Sequence, residues 1–318
     1  MKVMMIGCGR WGSLIAWYLS TLSHEVTLYG RESSANMQRF LRERKNDLLT
    51  LPPSVTLTTE LAAAKDAEVI LISVPAQSLR GLLRELAAFS LRDKTFVLCM
   101  KGIEVETGMR LSEVTAAEVD RSNHIAVWLG PGHVQDFYAG IPNCMVIDSS
   151  EDAVKCRLID AFSGKLIRFY YGDDMIGNEI GAAAKNVIGI AAGVLDGLGL
   201  STLKGALMSR GTREVAGLIA AMGGNERSAY GLCHLGDYEA TLFSPYSHNR
   251  AYGESLITGA PMTKLAEGHP TAAALHRLAA ENGVEMPIVA AVYSILYEGA
   301  EPKAAVARLF ERRQGQEF

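Results

Sequence analysis

The stretch Lys2-Val3-Met4-Met5-Ile6-Gly7-Cys8-Gly9-Arg10-Trp11-Gly12 decides the fold. An apolar, β-prone run turns on glycine and hands over to a helical pattern at residues 12–21. Gly7, Gly9 and Gly12 fit the G-x-G-x-x-G spacing in the required context: a strand before, a helix after, and a second strand run at 25–29. Gly7 permits the tight turn, Gly9 lets backbone approach a pyrophosphate, and Gly12 lets helix pack on strand. The helix N-terminus then meets phosphate charge. Arg10 and Trp11, set between these glycines, join them as candidate cofactor contacts.

Outward from this turn, strand patterns at 2–6, 25–29, 55–58, 69–74, 95–100 and 124–129 alternate with helical patterns at 12–21, 35–44, 77–89 and 109–118. Two further strands, 144–148 and 166–170, flank a helix near 153–162. Such alternation implies βαβ units, with helices on both faces of a mostly parallel sheet. After Gly172-Asp173-Asp174 the strand runs stop, and Ala/Gly/Leu-rich helical patterns follow at 175–198, 202–222, 270–282 and 288–298. The expected fold class is α/β. A Rossmann-type, doubly wound domain spans residues 1–172, and an all-helical domain spans 173–318. A polar tail follows Phe310.

The 318 residues suit two domains. With 48% hydrophobic and 21% charged residues, the composition is that of a globular protein. A net charge of −4 favours neither nucleic acid nor an anionic membrane as a partner. The five cysteines are scattered, which suits reduced thiols and a cytoplasmic setting. His133, His234 and His248 match no compact ligand spacing, so no metal is expected. Residues 180–195 resemble a membrane span, but Glu179, Lys185, Asn186 and Asp196 mark a buried core helix instead of an insertion. Trp17, Tyr18 and Trp128 read as packing residues.

The cofactor choice turns on Leu28-Tyr29-Gly30-Arg31-Glu32-Ser33. Arg31 is placed to stack on adenine and pair with a 2′-phosphate, which makes NADP plausible. Glu32 would instead take a ribose hydroxyl, as in NAD sites; a merely solvated Arg31 is the plainer reading. Ser73-Val74-Pro75 closes another strand, where Val74 and Pro75 would line the groove or simply end the strand. Lys101, past the strand at 95–100, stands at a carboxyl edge where open sheets bind ligands. Asp237 would balance its charge or cap a helix. On the helix at 175–198, Lys185 shares a face with Asn178, Gly181, Ala182, Gly189 and Ala192. These small neighbours suggest a trough with room for a ligand. A buried ammonium of lowered pKa would act there as general acid, unless Lys185 only snorkels.

Several segments in order resemble the soluble, bacterial-type NAD(P)-dependent sn-glycerol-3-phosphate dehydrogenases, from Met1 to about Arg312. The glycine turn is similar to GAGSWG, Ser73-Val74-Pro75 to VPS, Met100-Lys101-Gly102-Ile103-Glu104 to TKGIE, and Gly130-Pro131-Gly132-His133 to GPSH. The strongest likeness runs through Asn178-Glu179-Ile180-Gly181-Ala182-Ala183-Ala184-Lys185-Asn186-Val187-Ile188-Gly189. Gly236-Asp237, Thr241 and His248-Asn249-Arg250 resemble its GD…T…RNR segment. The resemblance implies reversible hydride transfer between NAD(P)H and dihydroxyacetone phosphate, within glycerophospholipid metabolism. Lys185 would be central, with Lys101, Asp237 and Thr241 as catalytic neighbours. Lys101, Asn186, His248, Asn249 and Arg250 would hold substrate, and Lys101 and Arg250 would also touch cofactor. A homodimer is expected.

Four departures put substrate identity in question: His248 where the family has Arg, Leu200-Ser201-Thr202 for Gly-Asp-Asn, His234 for glycine, and Gly132 for Ser. A paralogue reducing another carbonyl compound with a phosphate, phosphonate or carboxylate is one rival. A cofactor-binding sensor without turnover is the other.

Overall fold

The computed structural model describes residues 1–262 and 266–311, so the tail from residue 312 lies outside the described residues. Eight strands form one sheet: β1 (Lys2–Ile6), β2 (Glu25–Tyr29), β3 (Thr56–Thr58), β4 (Val69–Ile72), β5 (Thr95–Leu98), β6 (His124–Leu129), β7 (Asn143–Asp148) and β8 (Ile167–Tyr171). Their order is β3-β2-β1-β4-β5-β6-β7-β8. The first six follow the doubly wound Rossmann order, with its switch point between β1 and β4. All neighbours pair in parallel except β6 and β7.

Six helices flank or join the strands: α1 (Arg10–Thr21), α2 (Ala35–Glu43), α3 (Leu79–Ala87), α4 (Leu111–Glu118), α5 (Val134–Tyr138) and α6 (Asp152–Phe162). Strand residues divide between the two faces by the period-2 rule. Val3 and Met5 of β1 pack in the layer with α1 and α6, and Met4 and Ile6 in the layer with α3 and α4. Burial on both sides explains why these strands read as continuous apolar runs.

The helical half comprises α7 (Met175–Gly197), α8 (Lys204–Ala221), α9 (His248–Thr258), α10 (Gly268–Glu281), α11 (Pro287–Tyr297) and α12 (Pro302–Phe310). Asp174 caps α7: its Oδ1 accepts from Gly177 N at 3.0 Å, and its Oδ2 accepts from Asn225 N and Ser228 Oγ. α7 is the central element, with 83% of its most apolar window buried. Ile180, Val187, Ile188 and Ile190 are each at most 1% exposed, and each such side chain contributes about 1.5–3 kcal/mol by leaving water.

Candidate active site

The glycine turn lies at the switch point, against the end of β4. Gly7 has φ +111°, and a Cβ there would stand 2.2 Å from the Ser73 carbonyl oxygen. A Cβ on Gly12 would meet the Gly7 carbonyl at 1.9 Å. Gly9 has nothing within 4 Å of that position, so its backbone is open to a ligand. This cradle fits a dinucleotide pyrophosphate. Trp11 packs on Phe137, with ring centroids 5.9 Å apart. Val74 stands beside Gly7 and Pro75 is exposed after β4, while Arg31 and Glu32 are both exposed at the end of β2.

Across the sheet edge, α7 presents Lys185 to Asp237 and Thr241. Lys185 Nζ lies 3.0 Å from Asp237 Oδ2 and donates to Thr241 Oγ1 at 2.7 Å. Thr241 sits in one π-helical turn, and its hydroxyl donates to the Asp237 carbonyl at 2.7 Å. Lys101, three residues past β5, ion-pairs with the same Oδ2 and donates to the Gly130 carbonyl at 2.7 Å. Asp237 is 1% exposed. Burial lowers the Lys185 pKa to about 8; the Lys101 charge acts the same way, while Asp237 opposes both. The cluster is therefore an ammonium poised to give up its proton near neutral pH.

Beside it, Asn249 Nδ2 donates to Asn186 Oδ1 at 3.0 Å, and Asn249 Oδ1 accepts from Gly268 N at 2.9 Å. Ser247 caps α9 by accepting from Arg250 N. The Arg250 guanidinium turns away to Asp196, Glu254 and the Ser244 carbonyl. His248 Nε2 accepts from Arg10 Nη1 at 2.8 Å, and Arg10 Nη2 reaches Gln135 Oε1 at 3.3 Å. One arginine of the glycine turn thus bridges to the first residue of α9.

The expected ligand trough along α7 is corrected by the structure, because protein fills it. A Cβ on Gly181 would lie 3.0 Å from His234 Cβ, on Gly189 2.8 Å from Thr241 Cγ2, and on Gly193 1.9 Å from the Arg250 carbonyl. The small residues admit α9 at close range, and that contact brings Thr241 and Asn249 to Lys185. Asn178 is taken up by Asp148, at 2.8 Å.

The departures separate by location. His234 is fully buried; its Nδ1 donates to the Gly181 carbonyl and its Nε2 accepts from the Tyr238 hydroxyl. Burial lowers its pKa to about 4, so it is a neutral pin behind α7. Leu200-Ser201-Thr202 forms a turn past the end of α7, where Ser201 bonds Asp196 at 2.7 Å. At the helical rise, that end lies about 18 Å from Lys185. Gly132 has φ +136°, and a Cβ there would stand 2.3 Å from the Phe137 ring. His133 faces the site although its sequence spacing gave no reason to choose it. Its Nε2 is buried without a hydrogen-bond partner; burial lowers the His133 pKa, and the charges of Asp136, Lys185, Asp237 and Arg10 act on it in that order. Among the described residues no His/Cys/Asp/Glu group of three is arranged to hold a metal.

A dinucleotide cradle opening toward a buried ammonium can bring hydride and proton to one carbonyl, and that defines a nicotinamide-dependent oxidoreductase. Residues 2–155 match the N-terminal model, and residues 174–307 the C-terminal model, of NAD-dependent glycerol-3-phosphate dehydrogenase. The chain belongs to this family. It is 38% identical to a Bradyrhizobium glycerol-3-phosphate dehydrogenase [NAD(P)+], covering 98% of this chain and 96% of the relative. An Exiguobacterium protein of the same name is 35% identical over 100% of this chain and 97% of its own length. The crystal structure of the Coxiella burnetii glycerol-3-phosphate dehydrogenase superposes with a TM-score of 0.91 at 29% identity, covering 98% of this chain and 99% of that one.

Proposed function

We propose that this chain catalyses the reversible reduction of dihydroxyacetone phosphate to sn-glycerol 3-phosphate, with Lys185 as the proton donor. The observation that carries the reading is the buried Lys185 ammonium, with its pKa lowered to about 8, held by Asp237 and Thr241. Gly7, Gly9, Gly12 and Trp11 would hold NAD or NADP, and a bound reduced nicotinamide would supply the hydride to the carbonyl carbon. The alkoxide left on oxygen takes the Lys185 proton inside a water-poor cleft. Thr241 and Asp237 keep the ammonium aimed, and Lys101 adds positive charge beside it. Asn186 and Asn249 offer amide groups to the substrate's polar end.

Arg31 supports acceptance of NADPH alongside NADH, because it is an exposed cation at the end of β2. The change from sheet to α7 at Asp174 supports a division into domains 1–172 and 173–318. The family resemblance supports a homodimer, and five free cysteines suit the cytoplasm; size-exclusion chromatography with light scattering checks the dimer. Consumption of NADH and NADPH with dihydroxyacetone phosphate, followed at 340 nm, tests the activity. Failure with this substrate but turnover of a phosphonate or carboxylate analogue would favour the second reading, a paralogue, which His248 in the phosphate-binding segment motivates.

A further inference from the structure

The cations of the cleft are not equally engaged. Lys101 and Lys185 share the Asp237 carboxylate, and Arg250 is held by Asp196 and Glu254. Among the described residues Arg10 makes hydrogen bonds only to neutral acceptors, His248 Nε2 and Gln135 Oε1. Among the described residues no carboxylate pairs with it, and burial lowers its pKa without an opposing charge. A half-buried guanidinium lacking a counter-ion is electrostatically incomplete. The buried, unpartnered Nε2 of His133, two residues before Gln135, independently marks the same space as lacking a ligand.

The charge count agrees. Three cations, Lys101, Lys185 and Arg10, stand against two carboxylates, Asp237 and the Asp136 that acts on His133, so the count is positive by one. A phosphate monoester carries about −1.5 to −2 at pH 7. The direction of Arg10 also matters. The pyrophosphate cradle is the open backbone at Gly9, whereas the guanidinium reaches away from it, toward α5 and the first turn of α9. His248 adjoins Asn249, whose amide meets Asn186 next to Lys185.

We propose that Arg10 is the specificity-determining residue that binds the substrate phosphate, reaching across the cleft from the glycine turn, with His133 Nε2 completing the seat. This rests on the phosphorylated-substrate reading above. The guanidinium then moves from the His248 nitrogen to phosphate oxygens, which it can grip in bidentate fashion. The motif comparison fits: Arg10 stands where GAGSWG has serine, and His248 where the family has arginine.

Arg10→Gln and Arg10→Lys test this with dihydroxyacetone phosphate and with unphosphorylated dihydroxyacetone, alongside NADH affinity by fluorescence titration. In Arg10→Gln the ratio of kcat/KM values, phosphorylated over unphosphorylated, should fall by about 10- to 100-fold, the usual size of a charge-assisted contact. Arg10→Lys should recover part of that ratio. An unchanged ratio overturns the proposal, as does a loss fully matched by weaker NADH binding, which would assign Arg10 to the cofactor. If the unmodified enzyme fails to reduce dihydroxyacetone phosphate, the reaction assignment falls separately. Calorimetric binding of glycerol 3-phosphate to the NADH complex then decides: weakening in Arg10→Gln supports Arg10 as the phosphate ligand, and equal or undetectable binding in both proteins overturns it.

Discussion

Lys185 is subject to opposing influences, and their balance makes a pH prediction. Burial and the Lys101 charge lower its pKa, while Asp237 raises it, giving about 8. With Lys185 as the proposed proton donor, reduction needs the protonated amine, so kcat/KM for ketone reduction should hold below pH 8 and decline as pH rises through it. Alcohol oxidation needs the free amine and should rise over the same interval. Asp237→Asn removes the opposing charge, so the decline should move to lower pH by at least about one unit. Pre-steady-state rates at stepped pH would show this, and an unmoved limb would detach Lys185 from the proton transfer. Lys185→Ala should lower kcat by at least about 10³-fold, since general acid and charge stabilisation are lost together. Arg31 presents a separate case, because it lies exposed just past the end of β2, where the proposed function puts the adenosine of the cofactor. Arg31→Ala should weaken NADPH by about 1.5–3 kcal/mol more than NADH. Equal titration shifts for both nucleotides would show that Arg31 ignores the 2′-phosphate. The glycine turn, Lys185, Lys101 and Asp237 could be read in sequence because each has a local context or a motif. Arg10 meeting His248 could not be, since 238 residues separate them and only the fold closes that gap.

At the scale of elements, the close contact of α7 with α9 sets the site. A Cβ at Gly193 would fall 1.9 Å from the Arg250 carbonyl, and one at Gly253 would fall 2.0 Å from the Ile190 carbonyl. Both obstacles are backbone, so the helices must separate to admit a methyl group. Gly193→Ala should destabilise by at least the usual overpacking cost of about 1–3 kcal/mol and lower kcat by moving Asn249, on α9, from its place beside Lys185. Gly205→Ala, in the first turn of α8 with nothing within 4 Å, is the control and should gain about 0.5–1 kcal/mol. Thermal unfolding of both variants measures this, and a Gly193→Ala protein as stable as the parent would refute tight packing here. The same glycines explain what was hard to read. Strands β1, β2 and β6 begin and end where their apolar, β-branched runs place them, and the order at the switch point follows from βαβ logic. α9 carries Gly253 in its middle, a weak helix residue whose value is the approach it permits. α5 is too short to show periodicity. α12 did carry a signal, Pro302 at its first position, with Glu301 accepting from the Lys303 and Ala304 amides.

At the scale of the whole molecule, a second buried ion pair, besides Lys101–Asp237, ties the sheet half to the helical half. Glu179 on α7 accepts from Ser112 N at 2.9 Å, Ser112 Oγ at 2.5 Å and Arg110 Nη1 at 2.7 Å, all at the start of α4. The Glu179 side chain is 5% exposed and that of Arg110 12%. Burial raises the Glu179 pKa, and Arg110 with the Ser112 donors holds it back. Arg110→Met therefore leaves a carboxylate in the junction with hydroxyl and amide donors but no cation. Breaking such a pair costs about 3–5 kcal/mol, mainly through the charge left behind. Adding Glu179→Gln should recover more than half of the loss, because the amide keeps the shape and carries no charge. The pH dependence gives an independent sign. Without Arg110, the folded-state pKa of Glu179 lies further above its unfolded value of about 4.3. The penalty is then full above the folded pKa and vanishes below the unfolded one, where the group is protonated in both states. The deficit of Arg110→Met relative to the parent should shrink as pH falls from about 7 to about 4.5, and the double variant should show no such trend. Urea unfolding followed by circular dichroism across that range provides the measurement. A deficit under about 1 kcal/mol at pH 7, or one that grows on acidification, would mean that the Arg110–Glu179 pair does not hold the two halves together.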